Sequence, residues 1–403
     1  MRKTFSKFWN TAYLGIMLSF CISCQKNQEE EKINLPEKAV SIFDLVEDVK
    51  FLRLGDTSRE ESLFSKVQNA YFLDSFMVFG QNGMSYSDHG NYLYFNYEGN
   101  FLHRFDTRNI VKDGQTFSKG FYADEEGVFI PDVIRNVIFK VSHQGEMLDD
   151  FKTVNKATLY LPLEEDIVLY SYNRDKPKGL LDDDEYYDFF LYSEKEKKII
   201  DKGVTEVPEW YRNNYGDIQL IKAPHSETLY HCTVRDPNYI IYEMTKNGIH
   251  EIDRLVFTEG MVDLDRLPFV SENRVDPHYY RDENIVTDIF GIQRVGDNLF
   301  CMIDRGFGTN YLVRKNIKTG NSSAVKIDWH KIVARDYVLR AKVLDYTDDG
   351  YFVLFTPAMV FKKFYDLNKD WLQPYLINDF EGLSYSDNDI IIFLKFKPEY
   401  YDM

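Results

Sequence analysis

Four arginines recur in a similar context along the chain, each close behind an apolar run that is rich in β-forming residues. They are Arg135, Arg174, Arg235 and Arg305, with Asp236 and Asp304 beside the last two. If these side chains met at one place, their guanidinium groups would donate forked hydrogen bonds to a carboxylate or a sulfate. An arginine beside an aspartate in a turn also forms a local ion pair or packs on its neighbours. The residues therefore predict either a shared ligand-binding ring or separate structural contacts.

Other polar groups give weaker indications of chemistry. The acidic run from Asp182 to Glu185 offers oxygen ligands for calcium, but it lacks a glycine-containing calcium loop, and a solvated loop is the alternative. His103 and His231 fall in predicted strands without a nucleophile motif nearby. The aromatic segment 206–217 suits either sugar stacking or filling a gap between sheets. We therefore predict no catalytic residue, no metal and no cofactor.

The composition favours a folded, β-rich protein. Aromatic residues make up 16% of the 403 residues, with 29 Tyr and 31 Phe. Such residues are enriched in strands and scarce in disordered chains. The net charge of −17 repels phosphate backbones, and no basic stripe offsets it. We therefore expect no nucleic-acid partner.

The first 23 residues have the pattern of an export signal, because basic residues precede an apolar stretch too short to span a bilayer. The stretch ends in CISC, which resembles the lipobox of bacterial lipoproteins, a family in which the cysteine at the position of Cys24 is acylated. Ordinary secretory cleavage is the alternative. Residues 24–40 are predicted to form a flexible acidic tether. Their segment QKNQEEEK also resembles the acidic segment of surface-exported lipoproteins of the Bacteroidetes.

Two cysteines, Cys232 and Cys301, would remain in the mature protein. Both lie inside apolar runs, LYHCTV and LFCMID. We therefore predict two buried free thiols and not a disulfide. No spacing typical of a zinc site remains once the signal is removed.

A repeated unit of four strand-length apolar runs separated by turns extends through the chain, most clearly over residues 120–152. Its last turn recurs about every 50 residues, at Gly99, Gly145, Lys197, Gly248 and, after an insertion, Gly320. Short glycine-containing turns between such runs are typical of β-hairpins. Each unit is therefore predicted to be a four-stranded antiparallel meander.

Six such units predict an all-β fold, a six-bladed β-propeller of four-stranded antiparallel blades. It would form a single domain over residues 41–403, with insertions near 257–284 and 359–383. The early run VKFLRL would add a strand to the last blade and close the ring, which removes exposed strand edges. Tandem β-sandwiches are the alternative, because their turn spacing is similar.

In a propeller blade the four strands a, b, c and d alternate in direction. The a–b and c–d turns therefore emerge on one face, and the b–c loops and blade-to-blade connections on the other. The predicted a–b and c–d turns are short, whereas several b–c loops are long. We call the two sides the short-turn face and the long-loop face. Binding residues usually lie on elaborated loops, so we expect a site, including the arginines above, on the long-loop face.

Three segments carry a resemblance to a known family: SIFDLVEDVKFLRLGDTSREESLFSKV, VFIPDVIRNVIFKVSHQGEML and SDNDIIIFLKFK. They resemble the six-bladed β-propeller lipoproteins of gut Bacteroidetes, most of them domains of unknown function. The resemblance covers nearly the whole mature chain. Many relatives carry a Gly-Pro-Gly-Glu-type loop after the first blade, and FDTRNIVKDGQTFSKGF stands there instead. The family implies no agreed reaction.

The sequence and the resemblance together predict an exported protein, lipid-anchored to the outer membrane and either periplasmic or surface-exposed. We expect it to bind a ligand or partner without catalysis, with a glycan or an envelope protein as first candidate. The alternative is a propeller enzyme, such as a lactonase, lyase or glycan hydrolase, with a carboxylate or metal site at the channel mouth. A purely structural envelope component is the third possibility.

Overall fold

The structure is a computed structural model of the full chain. It describes residues 31–55, 62–63, 69–81, 90–110, 121–132, 135–153, 159–164, 166–171, 189–203, 221–222, 228–232, 239–271, 274–306, 308–329, 345–346 and 350–402.

Six antiparallel sheets form a ring, which confirms the predicted six-bladed β-propeller. From the innermost strand outward, blade I contains β3 (Asn69–Phe72), β4 (Met77–Gln81), β5 (Asn91–Phe95) and β6 (Phe101–Asp106). Blade II contains β7 (Tyr122–Asp124), β8 (Gly127–Asp132), β9 (Val137–Val141) and β10 (Met147–Lys152). Blade III contains β11 (Leu159–Glu164), β12 (Ile167–Ser171), β13 (Phe189–Ser193) and β14 (Lys198–Gly203).

Blade IV contains β15 (Ile221–Lys222), β16 (Leu229–Cys232), β17 (Ile240–Thr245) and β18 (Gly248–Arg254). Blade V contains β21 (Val286–Val295), β22 (Asn298–Arg305), β23 (Thr309–Asn316), β24 (Ser322–Asp328) and, on its outer edge, β1 (Ala39–Ser41). Blade VI contains β25 (Asp345–Tyr346), β26 (Phe352–Thr356), β27 (Ile390–Phe396) and β2 (Val46–Arg53). The short helix α1 (Ile42–Leu45) joins β1 to β2.

The ring is closed by pairing the two ends of the chain. Strand β2 runs antiparallel to β27, with Phe51 opposite Ile392 and Arg53 opposite Ile390. It supplies the outermost strand of blade VI, so the prediction that VKFLRL closes the ring is confirmed. Phe51 and Leu52, which lie on its two faces, are both fully buried. One strand thereby contributes to the cores on both sides of the blade.

Further segments cover the outer edges of blades V and VI. Strand β1 pairs in parallel with β24, and a parallel bridge joins Leu376 to Phe51. The Ile377 N–H donates to the carbonyl oxygen of Phe51 over 2.9 Å. Covered edges cannot template pairing with another chain.

The predicted tether is too long at its C-terminal end. Ile33 is fully buried, and Leu35 is nearly so. The Ile33 N–H donates to the Val256 carbonyl oxygen over 2.7 Å. The acidic composition indicated a solvated segment. These two apolar side chains instead anchor the segment in the core between blades IV and V. Contacts with the propeller therefore begin at about Ile33 and not at residue 41.

The cores lie between adjacent blades and are filled mainly by large apolar side chains. Between blades I and II, for example, Tyr92 stacks on Phe105 with ring centroids 4.8 Å apart, and Phe121 packs edge-on against Tyr92 at 5.0 Å. Offset and edge-on ring packing is favourable beyond the area that it buries. The abundance of Phe and Tyr in the sequence is explained by these interfaces.

Polar contacts link the outer strands of neighbouring blades. The Ile249 N–H of blade IV donates to Asp201 of blade III over 2.8 Å. Lys315 of blade V donates to Asp253 of blade IV over 2.8 Å, and its side chain is only 7% exposed. A buried ammonium is tolerated because it is paired and hydrogen-bonded.

The two faces of the ring differ as predicted. The described turns on the short-turn face are tight, and Gly99, Gly145 and Gly320 adopt positive φ in three c–d turns. A side chain at Gly99 would collide with the Arg53 carbonyl oxygen, because a Cβ there would lie 2.2 Å from it. The long-loop face carries both large insertions, one between blades IV and V and one between β26 and β27.

The first insertion is a small folded unit. It contains a 3-10 turn (Leu264–Arg266), a hairpin of β19 (Phe269–Ser271) and β20 (Arg274–Val275), and helix α2 (Pro277–Asp282). Val262, Val275, Tyr280 and Ile285 form its own core.

The second insertion begins with helix α3 (Ala358–Leu372), continues through a 3-10 turn (Gln373–Tyr375) and precedes β27. A short helix, α4 (Glu399–Asp402), follows β27. Pro357 starts α3, and apolar residues three and four apart place Phe361 and Phe364 in the core between blades V and VI. Lys362 and Asp366 pair over 2.7 Å on the outer side. Non-helical dihedrals at Asn368 kink the helix. Among the described residues, no helix is long and apolar enough to cross a membrane.

Both mature cysteines are buried and free, as predicted. Burial raises the pKa of the Cys301 thiol to about 12, because the thiolate is poorly solvated there. The thiol is therefore expected to be unreactive in the folded protein.

Leu52→Ala tests the contribution of the closing strand. Leu52 is fully buried between blades VI and I, so truncation should lower the free energy of unfolding by about 3 kcal/mol, through lost transfer energy and a cavity. Urea unfolding of the mature protein measures this change. Glu47→Ala, exposed in the same strand, is the control and should shift stability by about 0.5 kcal/mol or less. A loss for Leu52→Ala no larger than that of the control would contradict the role of β2.

Candidate functional site

Arg135 makes a local ion pair in blade II. Its Nη1 donates to Asp132 Oδ2 over 2.6 Å, and its backbone N–H donates to Asp132 Oδ1 over 2.9 Å. Asp132 is the last residue of β8 and is almost fully buried. Its carboxylate therefore holds the start of the b–c loop, in the manner of an Asx turn.

Arg305 binds the insertion between blades IV and V. Its Nε donates to the Asn284 carbonyl oxygen over 2.8 Å, and its Nη2 donates to Glu259 over 3.0 Å. Its neighbour Asp304 is buried and accepts from the Gly308 N–H over 2.7 Å. The two residues fix the loop and the insertion in place.

The predicted ring of four arginines is not tested as a whole. Arg174, Arg235 and Asp236 lie outside the described residues. Arg135 forms the local ion pair that the sequence left open as the alternative, whereas Arg305 pairs with Glu259 of the insertion.

Two similar sequence segments place their aspartate side chains toward different neighbouring blades. In β8, Asp132 shares a strand face with Ile130, which packs in the core between blades I and II. In β22, Asp304 shares a face with Met302, which packs in the core between blades V and VI. Asp132 therefore faces the preceding blade and Asp304 the following one, because a shift of one residue reverses the face of a strand.

The other sequence candidates have structural roles or lie outside the described residues. His103 stacks on Tyr94 with ring centroids 4.2 Å apart, and its Nε2 contacts the His143 carbonyl oxygen. It is a packing residue between blades I and II. The acidic run 182–185 and the aromatic segment 206–217 are not within the described ranges.

Several buried polar atoms have no hydrogen-bond partner. Among the described residues there are seven such side-chain atoms: Arg53 Nε, Tyr92 Oη, Asp253 Oδ2, Asn310 Nδ2, Trp329 Nε1, Thr356 Oγ1 and Asp387 Oδ1. Four of them, on Tyr92, Asn310, Thr356 and Asp387, lie within three residues of a strand end that borders a b–c loop. Arg53 and Asp253 lie beside c–d turns of the following blades. An unpaired buried polar group destabilises a protein and requires an explanation. The four that border b–c loops indicate a candidate site at the long-loop face.

Three polar residues form a row across the long-loop end of blade V. Asp288 in β21 is directly opposite Asp304 in β22, which is directly opposite Asn310 in β23. Directly opposite side chains in an antiparallel sheet have Cβ atoms about 4.5–5.5 Å apart. We call these three residues the polar row.

The polar row faces blade VI. In each of the three strands, the residue two positions from the polar row packs in the core between blades V and VI. These residues are Phe290, Met302 and Leu312. Side chains two residues apart lie on the same face of a strand. Asp288 is partly exposed in the innermost strand, whereas Asp304 and Asn310 are buried, so the row runs from the channel side into the interface.

Blade VI and helix α3 pack against the same interface. Thr356, the last residue of β26, shares its face with Leu354, which packs in the V–VI core. Trp329 follows β24 and belongs to the same core, as do Phe361 and Phe364 of α3. Three of the seven unpartnered atoms, on Asn310, Trp329 and Thr356, therefore belong to one interface.

The sequence gives no local signal for this group of residues. The five side chains lie on four strands of two blades and on the residue after a fifth strand, and only the packing of blades V and VI brings them to one interface. Among the described residues, no group of three or more His, Cys, Asp or Glu side chains could hold a metal ion.

Both insertions expose apolar side chains. Seven of the twelve exposed large apolar residues within the described ranges lie on them; these are Phe269, Val270, Met359, Leu367, Trp371, Ile377 and Tyr385. Trp371 also packs edge-on against Phe43 with ring centroids 4.6 Å apart. Exposed apolar patches rimmed by polar residues are typical of interaction sites.

No family model and no curated protein matches the chain. The fold does match solved structures. A candidate exported protein from Bacteroides fragilis superposes with a TM-score of 0.58 at 15% identity, over 91% of this chain and 99% of that one. A member of the DUF4221 family from Bacteroides vulgatus gives a TM-score of 0.46 at 9% identity, over 88% and 97%. At 15% identity, the likeness to the Bacteroides fragilis protein shows the fold alone.

Asp389, directly before β27, predicts a pH dependence of stability. Burial raises its pKa to about 6 in the folded protein, from an ordinary value of 3.8. The folded state therefore binds this proton more tightly than the unfolded state, and stability falls as pH rises from about 4 to about 6. Asp389→Asn should add at most about 3 kcal/mol to the free energy of unfolding at neutral pH and nothing below about pH 4.

Urea unfolding of both proteins across this pH range measures the difference. Asp370→Asn, exposed on the same insertion, is the matched control and should leave the pH profile unchanged. A constant difference between Asp389→Asn and the parent protein at every pH would contradict the assignment.

Proposed function

We propose that this protein is an exported, non-catalytic binding protein of the bacterial cell envelope, lipid-anchored at Cys24 to the outer membrane. It binds a ligand or partner on its long-loop face, with a glycan or an envelope protein as the first candidate. The observation that carries the proposal is that four buried polar atoms without a partner, on Tyr92, Asn310, Thr356 and Asp387, border the b–c loops of that face. The exposed apolar residues of both insertions support it.

Stability alone does not account for this distribution. A polar atom that is buried without a partner costs about 1–3 kcal/mol, and an apolar residue of similar shape would avoid that cost. Residues that destabilise a fold are commonly retained for function. The described c–d turns of the short-turn face, in contrast, form regular hydrogen-bonded hairpins.

The proposal is tested on an array of bacterial and dietary polysaccharides, with labelled mature protein. Replacing the exposed apolar side chains of the insertions, as Phe269→Ser, Val270→Ser and Leu367→Ser together, should weaken retention about tenfold or more, equivalent to about 1.4 kcal/mol. Met147→Ser with Leu148→Ser is the matched control, because these side chains are similarly exposed on the outer strand of blade II.

Retention that is lost equally in both variants, or in neither, would contradict binding at the long-loop face. A folded protein that is retained on no polysaccharide would exclude the glycan arm of the proposal and leave an envelope protein as the partner to be tested.

One observation favours the second candidate, a propeller hydrolase or lyase. Asp288 and Asp304 are directly opposed carboxylates, and glycoside hydrolysis uses two carboxyl groups on either side of the scissile bond. A panel of 4-nitrophenyl glycosides tests this candidate by release of 4-nitrophenol. An enzyme should lose activity about a hundredfold or more in Asp288→Asn, but not in Asp265→Asn, a substitution outside the polar row. Absence of turnover by the parent protein would exclude a glycosidase.

A further inference from the structure

We propose that the polar row, together with Thr356 and Trp329, is a binding site for one neutral, hydroxyl-rich unit, such as a single sugar residue. This inference rests on the proposed binding function and specifies its ligand class and its position. The site is at the long-loop end of the interface between blades V and VI, in which helix α3 also packs.

The unpartnered groups of this interface are nine-tenths or more buried. Asn310 is 2% exposed, Thr356 is fully buried, and Trp329 is 9% exposed. Asn310 Nδ2, Thr356 Oγ1 and Trp329 Nε1 have no hydrogen-bond partner. Asn310 and Thr356 lie on strand faces that are turned toward each other's blade, as their neighbours Leu312 and Leu354 in the V–VI core show. The interface therefore offers hydrogen-bonding capacity that the fold does not use.

The chemistry of these groups selects among ligands. An indole N–H only donates, a threonine hydroxyl donates and accepts, and the carboxylates of Asp288 and Asp304 only accept. A hydroxyl group satisfies both kinds of partner, because it donates one hydrogen bond and accepts two. The two carboxylates repel an anion, and no group of three or more His, Cys, Asp or Glu side chains among the described residues could hold a metal ion. Apolar walls with a few converging polar groups are typical of small-molecule sites.

The polar row also indicates the direction of entry. Asp288 belongs to the innermost strand of blade V and is partly exposed, whereas Asp304 and Asn310 lie deeper. A ligand unit would therefore contact Asp288 first, from the channel side, and reach Asn310 and Thr356 last. Its apolar surroundings include Phe361 and Phe364 of α3.

Thr356→Val is the most informative variant, because it replaces an unpartnered buried hydroxyl with a methyl group of similar size. Removal of the unused hydroxyl should raise the thermal midpoint of the ligand-free protein. The same change should weaken binding about tenfold or more, since the ligand loses a buried partner. Asn310→Leu should act in the same way. Thr309→Val, the neighbouring strand position on the opposite face, is the control and should alter neither quantity.

The probes are glucose, galactose, mannose and N-acetylglucosamine, with glucuronate and calcium chloride as charged comparisons, read by thermal shift and calorimetry on the mature protein. At least one neutral sugar should raise the midpoint of the parent protein, and this shift should be lost in Thr356→Val and Asn310→Leu. A lower midpoint for both ligand-free variants would show a structural role and overturn the proposal. So would a shift by glucuronate or calcium alone, or a neutral-sugar shift that persists in both variants.

These outcomes are separate from those of the array experiment. If the neutral sugars fail here while the array shows retention that depends on Phe269, Val270 and Leu367, the interface site is wrong and the proposed function stands. If both fail, glycan recognition by the long-loop face is excluded.

Discussion

The pairing of β2 with β27 holds the first and last parts of the propeller in one sheet. A propeller blade contacts only its two neighbours, so an open ring would leave blades I and VI each with one unburied face. The closing strand buries Phe51 toward blade V and Leu52 toward blade I. Arg53, at its end, pairs with the buried Asp387 over 2.8 Å. Removing one partner of such a buried pair leaves an uncompensated charge, which is strongly destabilising.

The closed ring determines where polar groups can be left without partners. On the short-turn face, tight hairpins satisfy the backbone locally and bring neighbouring blades into contact. On the long-loop face, the chain crosses from one blade to the next or passes through a long loop between strands b and c. Side chains at these strand ends therefore depend on loops and insertions for their hydrogen-bond partners. Four of the unpartnered atoms, on Tyr92, Asn310, Thr356 and Asp387, occur at strand ends that border b–c loops. The blade contacts thus supply stability, and the opposite strand ends carry the capacity to bind.

Much of the fold could be predicted from the sequence because the signals are local. Hairpin turns at Gly99 and Gly145 recur with the blade period. The closing run before Arg53 has the length of a strand and carries apolar residues on both of its faces. The boundary of the tether could not be predicted, because Ile33 looks like an isolated apolar residue in an acidic segment. It is buried beside Phe257, which lies far along the chain.

The site was less predictable for the same reason. The repeated Arg-Asp pattern indicated equivalent positions in the blades. Asp132 nevertheless faces the preceding blade and Asp304 the following one. The register of each strand decides which face a residue occupies, and the sequence pattern does not reveal that register. Asn310, Trp329 and Thr356 carry no motif at all. Only their common position at the V–VI interface identifies them.

Hydrogen exchange in β27 tests the closure of the ring most directly. The amide groups of Ile390–Phe396 would be compared in the mature protein and in a chain that begins at residue 54 and therefore lacks β2. The account predicts that these amides lose most of their protection without β2, and that protection also falls in the adjoining blades I and V. Unchanged protection in β27 would contradict the claim that the N-terminal strand holds the propeller closed.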